Sequence, residues 1–375
     1  MQKFMNILEA KLMPIGIKLG NNRYLKAINK SFMIILPLTI FGSIFTLVSS
    51  FPVTAWTNWL NETGLATWLA LPSKFTIDLI SLYTVVSLGY VFTKEEGFDG
   101  FAGGLTALVS FIIVTPLLQI TTNQESVITA IGFDWLGARG LFVAMIIGCM
   151  SSLLFIFFNK KGWIIKMPEG VPPAISSSFD AIMPLFVCVI TFYAISLFIQ
   201  NVSGELLPSM IMTLLAPAIS GLDSLLGICL ITIIAQTFWF FGLHGASITQ
   251  PIRLPFMQMY LVANITAFTA GEPIAHFFTQ PFWSYVITLG GGGATLGLCI
   301  LLLRSKSVEL KTLGKLSIGP AIFNINEPII FGLPVVLNPI IAIPFILVPM
   351  MNLILSYCAT LWHIIPKTTG VNLPW

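Results

Sequence analysis

The sequence predicts an all-α, polytopic membrane protein with about ten transmembrane helices and re-entrant hairpins. Two observations carry this prediction: hydrophobic residues make up 56% of the 375 residues, and charged residues make up only 9%. Soluble domains carry about 25% charged residues, so this chain cannot cover a water-facing surface and the bilayer must be part of its solvent. The length leaves room for roughly nine or ten spans of about 20 residues each.

The chain begins with a basic, weakly amphipathic segment, residues 1–30. Leu8, Leu12, Ile15 and Leu19 recur at helical spacing, and six lysines and arginines supply the charge. We expect this segment to lie on the membrane surface and to lead into the first span. It contains no short apolar stretch followed by a small-residue cleavage site, so we expect no removable signal peptide.

Nine apolar runs follow in two sets, five with few polar interruptions and four of more mixed character. They predict spans near Ser31–Phe51, Thr76–Phe92, Phe101–Ile120, Trp135–Phe158, Phe179–Gln200, Ser224–Phe241, Phe256–Ala270, Phe282–Leu303 and Pro334–Tyr357. The chain stops at Trp375 without a polar tail. We therefore expect at least one further span to follow, and the last domain to be incomplete.

The basic residues predict the orientation of these spans. If the N-terminus is cytoplasmic and the spans alternate, only Lys74, Arg139 and Lys367 of the 18 lysines and arginines fall on the outer side. Such a bias toward the cytoplasmic side is typical of membrane proteins. The net charge of +3 therefore marks the cytoplasmic face and does not indicate a nucleic-acid partner.

The chain changes character at about Gly221, from which point Pro, Gly, His and Glu interrupt the apolar runs. Broken backbone at membrane depth is tolerated only where protein or a wet cavity covers it. We therefore divide the chain into the amphipathic segment 1–30, a helical scaffold at 31–220, and a transport domain with re-entrant hairpins at 221–375. Broken helices that flank a central site are a common device of transporters.

Glu327 is the strongest candidate for chemistry, in the stretch "FNINEPIIFG" between two apolar flanks. A carboxylate at the bilayer centre is costly, so it should line a cavity. Pro328 favours a helix start directly after it, which would place Glu327 near a positive helix end. Asn324 and Asn326 add amide donors and acceptors, a set that suits a ligand with many hydroxyls. The alternative is a structural glutamate that satisfies its own broken helix.

His244 is the second candidate, in "FWFFGLHGASITQP". Gly242 and Gly245 bracket it, which lets the backbone open around it, and aromatic residues that include Trp239 precede it and could stack on a sugar face. We expect a role in ligand binding or proton transfer. The alternative is a satisfied core histidine.

Several other features leave their roles open. Glu272 repeats the Glu–Pro pair and could contact a substrate or cap a helix start, and His276 lies four residues further on, at helical spacing. The Gly290–Gly293 run lacks the Lys-Ser/Thr of a phosphate loop, which favours close packing or a hinge. The five cysteines lie in apolar stretches without a CxxC pair, so we expect no disulfide, no metal site and no catalytic thiol.

Together these stretches resemble the EIIC membrane component of the bacterial sugar phosphotransferase system, in its lactose, cellobiose and diacetylchitobiose branch. The resemblance covers essentially the whole chain. The family's Asn-x-Asn-Glu-Pro motif matches Asn324, Asn326, Glu327 and Pro328 in "NINEPIIFGLPVVLNP", and its histidine matches His244. Further support comes from "LMPIGIKLGNNRYLKAINKSFMIILPLTIFGS", "MPEGVPPAISSSF", "FWFFGLHG", "FTQPFW" and "GGGGATLGL".

The resemblance implies an elevator-type disaccharide transporter in a bacterial cell membrane, working as a homodimer. The first five spans would form the dimer interface, and the later spans the mobile sugar-binding domain. A disaccharide such as cellobiose, diacetylchitobiose or lactose would be translocated and phosphorylated at a C6 hydroxyl by phosphorylated EIIB. The chain would be the permease subunit of a phosphohistidine–sugar phosphotransferase complex. It has no EIIB-type cysteine loop, so the phosphoryl group would come from a phosphocysteine on a separate EIIB. No cofactor is expected.

The resemblance also implies roles for individual residues. Glu327 and His244 would be the catalytic residues, because a carboxylate can accept the proton of the reacting hydroxyl and an imidazole can hold that hydroxyl in line. An acid often stands in the family where this chain has Gln280, so no charged role is carried over to that position. The expected substrate-binding residues are Trp239, His244, Asn324, Asn326, Glu327, Glu272 and Trp375.

Two other functions compete with this hypothesis. A proton-coupled secondary sugar transporter would use Glu327 as its proton carrier, but the sequence has no dense set of membrane acids. A membrane glycosyl or lipid transferase would carry an acidic metal motif such as DxD, and the sequence contains none.

Overall fold

The chain folds into two compact, mostly helical units. The first unit is Ala27–Pro217, and the second unit combines the residues up to Lys26 with those from Ala218 onward. The roles predicted for 31–220 as scaffold and 221–375 as transport domain remain predictions. The computed structural model describes residues 14–49, 51, 53–121, 127–168, 170–333, 335–336 and 338–369.

Helices and one β-hairpin build the first unit. Helices α1 and α10 each continue across its boundary with the second unit. The elements in chain order are α1 (Arg23–Ser49), α2 (Thr54–Glu62), α3 (Leu65–Lys74), α4 (Ile80–Glu95), α5 (Gly100–Val114), β1 (Leu117–Thr121), β2 (Val127–Ile131), α6 (Phe133–Leu136), α7 (Leu141–Lys161), α8 (Pro173–Asp180), α9 (Ile182–Ser203) and α10 (Leu207–Leu222).

The core of the first unit forms where α4, α5, α7 and α9 meet. Phe111, Ile147 and Phe192 are each no more than 2% exposed there. Small residues let the helices approach closely, as is common in membrane proteins. A Cβ built on Gly89 of α4 would lie 2.7 Å from the Cβ of Ala107 on α5, so this contact leaves no room for a larger residue.

The span predicted at Phe101–Ile120 is wrong in its second part. Helix α5 ends at Val114, and the chain continues into β1, which pairs antiparallel with β2. The physical reason is Pro116, because the residue before a proline is disfavoured in the helical region. Thr115 is accordingly extended, with φ −74° and ψ 133°.

Helices of very different length build the second unit. Residues 14–20 are helical and belong to it. The π-helical turn Trp283–Ile287 directly follows the three-residue helix Gln280–Phe282. The remaining helices are α11 (Leu225–Phe240), α12 (Gly245–Thr269), α13 (Gln280–Phe282), α14 (Leu296–Leu303), α15 (Val308–Ile322), α16 (Glu327–Gly332) and α17 (Pro339–Leu361).

Several helices are long and apolar enough to cross a membrane, which agrees with the predicted fold class. Within the described ranges there are 4 such helices, or up to 6 if each of two bent pairs counts as one span. The bent pairs are α10 with α11, at 72°, and Gln280–Ala294 with α14, at 57°. The count of about ten spans remains a prediction. The 4 unbroken candidates are Arg23–Ser49, Ala138–Lys161, Ile175–Ser203 and Ile340–Leu361.

Prolines mislead the prediction in the second half of the chain. Helix α12 begins at Gly245, well before the predicted start at Phe256, and it contains Pro251 and Pro255. Helix α10, which contains Pro217, is not predicted at all. Proline is tolerated inside membrane helices because neighbouring groups can satisfy the freed backbone, so a proline is a weaker boundary here than in water.

The close contact at Gly89 can be tested by substitution. We expect Gly89→Ala to destabilise the protein by about 1–3 kcal/mol, because an added methyl group overpacks the α4–α5 contact. Gly319→Ala is the matched control, since Gly319 also lies within a helix but has no neighbouring atom within 4 Å of an added Cβ. Thermal unfolding of the purified protein in detergent measures both, and equal midpoints would contradict the packing.

Candidate functional site

His244 lies in a tight turn between α11 and α12. Gly242 adopts φ +76°, a conformation that glycine reaches without steric cost. The backbone N–H of Gly242 donates to the carbonyl of Trp239 and that of Leu243 donates to the carbonyl of Phe238, both at 3.0 Å. These bonds close the turn and bring His244 to the N-terminus of α12.

The ring of His244 is oriented by the helix that it caps. Its Nδ1 accepts a hydrogen bond from the backbone N–H of Ser247 at 3.1 Å and lies 2.9 Å from Ser247 Oγ. An imidazole nitrogen that accepts carries no proton, so the neutral ring holds its proton on Nε2. That Nε2 lies 3.5 Å from Glu327 Oε1. The two strongest sequence candidates therefore face each other.

Two polar atoms at this site, one in the pair and one next to it, have no hydrogen-bond partner among the described residues. They are Glu327 Oε2 and Trp239 Nε1, and both atoms are buried. The ring of Trp239 lies 4.3 Å from that of His244, centroid to centroid. The side chains of His244 and Glu327 are 48% and 41% exposed, so a ligand can reach the pair, whereas Glu327 Oε2 itself is covered by protein in this conformation. A hydroxyl, which both donates and accepts, matches one free acceptor and one free donor.

Asn324 clamps the glycine run with its side-chain amide. Its Oδ1 accepts from the backbone N–H of Gly290 at 2.7 Å and of Gly291 at 3.2 Å. Its Nδ2 donates to the carbonyl of Ser284 at 2.9 Å. Asn324 itself has φ +60°, which asparagine tolerates better than most residues. Both ends of its amide are thus engaged within the protein.

Asn326 holds the next part of the same run. Its side chain is buried, and Nδ2 donates to the carbonyl of Gly292 at 2.5 Å and to Thr295 Oγ1 at 3.3 Å. Gly292 in turn lies against the indole of Trp239, since a Cβ there would be 2.6 Å from Nε1. The glycine run therefore serves close packing, one of the two roles that the sequence favours.

Gln236 is a third side chain that holds the glycine run, and sequence analysis missed it. It is buried in α11, and its Oε1 accepts from the backbone N–H of Gly293 at 2.8 Å. A signal exists in the sequence, because Gln236 is the only amide side chain in the apolar stretch of α11. Its partner could not be inferred, since Gly293 lies far along the chain.

Gln280 contacts a buried cation that sequence analysis also overlooked. Arg253 of α12 is 4% exposed and has no carboxylate within ion-pair distance among the described residues. Its Nη1 donates to Gln280 Oε1 at 2.8 Å, and its guanidinium lies 4.0 Å from the ring centroid of Trp283. Gln280 Nε2 donates to Ser284 Oγ at 3.3 Å. The carbonyl of the same Ser284 accepts from Asn324, so Arg253 and Gln280 are connected to the clamp at the glycine run.

Glu272 and His276 do not join the His244–Glu327 pair. Glu272 follows the far end of α12, and a helix of 25 residues is about 37 Å long, so Glu272 is too distant to share a disaccharide with His244. His276 Nδ1 lies 2.8 Å from Asp223 Oδ2, and its ring stacks on that of Tyr260. Trp375 lies outside the described residues.

Comparison with known families identifies the chain. A family model described as "Phosphotransferase system, EIIC" matches residues 29–349, a range that contains His244, Glu327 and the glycine run. The chain belongs to this EIIC family. The resemblance of the chain to EIIC components is thereby confirmed.

Individual EIIC relatives match over nearly the whole chain. The lichenan permease IIC component of Bacillus subtilis is 35% identical, across 100% of this chain and 85% of the relative. The cellobiose-specific EIIC component of Geobacillus stearothermophilus is 33% identical, across 100% and 86%. The crystal structure of ChbC, the IIC component from the N,N'-diacetylchitobiose-specific phosphotransferase system, has a TM-score of 0.91 at 34% identity, across 98% of this chain and 88% of that one.

As an EIIC component, the protein is a membrane permease of the phosphotransferase system. It takes a sugar as its substrate and works with an EIIB protein or domain. The comparisons do not support the alternative of a proton-coupled secondary transporter.

The clamp formed by Asn324 can be tested by two substitutions. Asn324→Gly removes the side chain, while glycine still adopts φ +60° without strain. The two backbone N–H groups then lose their acceptor, which should lower the free energy of unfolding by about 1–3 kcal/mol. Asn324→Ala should lower stability by roughly a further 1 kcal/mol, because alanine disfavours the left-handed conformation. The midpoint of thermal unfolding should be highest for the wild type, lower for Asn324→Gly and lowest for Asn324→Ala. Equal midpoints for the two variants would argue against a left-handed Asn324.

Proposed function

We propose that this EIIC permease translocates a β-linked disaccharide and delivers its C6 hydroxyl to phosphorylated EIIB at the His244–Glu327 pair. One observation carries the proposal: His244 Nε2 lies only 3.5 Å from Glu327 Oε1, while Glu327 Oε2 and Trp239 Nε1 are buried without a hydrogen-bond partner among the described residues. The names of the relatives support the substrate class, since they specify lichenan, cellobiose and N,N'-diacetylchitobiose. Lactose belongs to the same class.

Glu327 is the proposed proton acceptor. The C6 oxygen attacks phosphorus of the EIIB phosphocysteine, an O–P bond forms as the S–P bond breaks and leaves the cysteine as a thiolate, and the hydroxyl proton passes to the carboxylate of Glu327. His244 faces Glu327 Oε1 with its Nε2–H, which favours one orientation of the carboxylate beside the sugar. Such positioning, together with proton transfer, is what phosphoryl transfer requires of a protein.

The other predicted binding residues divide by their contacts. Trp239 would pack on the sugar and donate its free Nε1–H to a hydroxyl, as aromatic residues with a polar tip often do. We assign Asn324 and Asn326 to holding the wall of the site, because their amides bind the glycine run. Glu272 is not part of the proposed site, and a contact from Trp375 remains a prediction.

The proposal extends to assembly and orientation. We place the N-terminus in the cytoplasm, where 15 of the 18 basic residues then lie, in agreement with the positive-inside rule. We also propose a homodimer formed through the first unit, with the second unit as the moving, sugar-carrying part. Lys74, Arg139 and Lys367 would face outward.

Removal of the proposed proton acceptor should stop the chemistry without unfolding the protein. We expect Glu327→Gln to lower the rate of disaccharide phosphorylation by at least about 100-fold, the scale of general base catalysis. Glu272→Gln is the matched control, because it changes the same Glu–Pro pair at the far end of α12. The assay uses purified protein, phosphorylated EIIB and a panel of radiolabelled disaccharides. A wild-type rate for Glu327→Gln would remove Glu327 from the mechanism.

The histidine should contribute mainly to binding and alignment. We expect His244→Ala to weaken the binding free energy of the sugar by no more than about 3 kcal/mol, since a hydrogen bond that involves a charged group contributes about 1.5–3 kcal/mol. Calorimetric titration with the best disaccharide of the panel measures this, and unchanged affinity would return His244 to a structural role. Accumulation of free sugar under a proton gradient without EIIB would contradict the proposed function as a whole.

A further inference from the structure

A short N-terminal helix packs beside the turn that carries His244. Residues 14–20 are helical and belong to the second unit. Gly16 is buried there, whereas Ile15 is 50% exposed. The segment was expected to lie on the membrane surface, but at Gly16 it touches protein.

The contact at Gly16 leaves no space for a side chain unless side-chain atoms of Phe238 and Leu243 move. A Cβ built on Gly16 would lie 2.7 Å from Phe238 Cε1 and 2.9 Å from Leu243 Cδ1. Real Cβ atoms do not approach other heavy atoms this closely in well-packed interiors. One turn further on, a Cβ on Gly20 would meet only Ile248 Cγ1, at an ordinary 3.9 Å. The close approach is therefore specific to Gly16.

The residues that Gly16 touches determine where His244 stands. Leu243 directly precedes His244, and its backbone N–H bonds to the carbonyl of Phe238. Both of these residues thus belong to the closed turn, and both present side-chain atoms to Gly16. A backbone shift at either residue would move His244 relative to Glu327, which lies on a separate element.

We propose that the helix at residues 14–20 is a positioning element for the site, with Gly16 as the contact that seats the His244 turn. The inference rests on the proposed role of His244. Helix α1, which follows directly, crosses from the second unit into the first near Lys26 and Ala27. The N-terminal segment therefore belongs with the site, although the span that it leads into belongs largely to the other unit.

The matched variants Gly16→Ala and Gly20→Ala test the proposal in the full chain. Each adds one methyl group to the same short helix, but only the first meets the turn. We expect Gly16→Ala to lower the rate of sugar phosphorylation about tenfold or more, since small misplacements of reacting groups have large effects on rate. Gly20→Ala should behave as the wild type. Equal rates for the two variants would overturn the proposal.

A second readout needs neither sugar nor EIIB. Diethyl pyrocarbonate modifies histidine at an unprotonated ring nitrogen, and mass spectrometry of the His244 peptide gives the rate at that residue alone. The rate at His244 should change several-fold in Gly16→Ala and stay unchanged in Gly20→Ala. If this shift occurs but the wild-type protein phosphorylates no sugar, the positioning role survives and the proposed function fails. No difference in labelling between the two variants would refute the positioning role.

A rescue experiment separates positioning from general damage to the fold. The ring atom Phe238 Cε1 is absent from leucine, so Phe238→Leu makes room for the methyl group of Gly16→Ala. We expect the double variant to recover toward the rate of Phe238→Leu alone, because the two sites are in contact and their effects should not add. Strictly additive losses would show that the methyl group acts elsewhere and would overturn the proposal.

Discussion

The second unit depends on one constraint: a chain that breaks its helix at membrane depth must find partners for the exposed backbone groups. Gly290, Gly291 and Gly293 all have positive φ, so the run cannot satisfy its amides within a regular helix. Side chains from elsewhere supply the partners. Asn324 accepts from two of the N–H groups, and Asn326 donates to a carbonyl of the same run. The backbone of the glycine run therefore obtains its hydrogen-bond partners from the two asparagines of the Asn-x-Asn sequence.

The same constraint shapes the site. Asn326 directly precedes Glu327, so the side chain that closes the glycine run also determines where α16 begins and where the carboxylate stands. On the other side, the absence of a side chain at Gly292 lets the run lie against Trp239, whose ring packs near that of His244. Glu327 on one side of the proposed site, and Trp239 with His244 on the other, thus both depend on the hydrogen-bonded turn of the glycine run.

A buried cation extends this network beyond the site. Arginine can only donate hydrogen bonds, so the oxygen of Gln280 must face Arg253, and its amide nitrogen is left to donate to Ser284. A carboxylate at this position would accept from Arg253 more strongly, but it would need the hydroxyl of Ser284 to donate in the contact that the amide now makes. The amide of Gln280 therefore supplies both contacts.

Composition and isolated polar residues in apolar runs are local properties, and they are enough to predict the membrane class, the broken character of the second half, and the choice of Glu327 and His244. Local patterns gave the wrong boundary where proline acts differently in lipid, as at the start of α12. The 3.5 Å distance between His244 and Glu327 is visible in the folded chain alone, as is the place of Glu272, with the same Glu–Pro pair, at the other end of a long helix. The physical reason is that such distances arise from packing between segments remote in the chain, which no local pattern specifies.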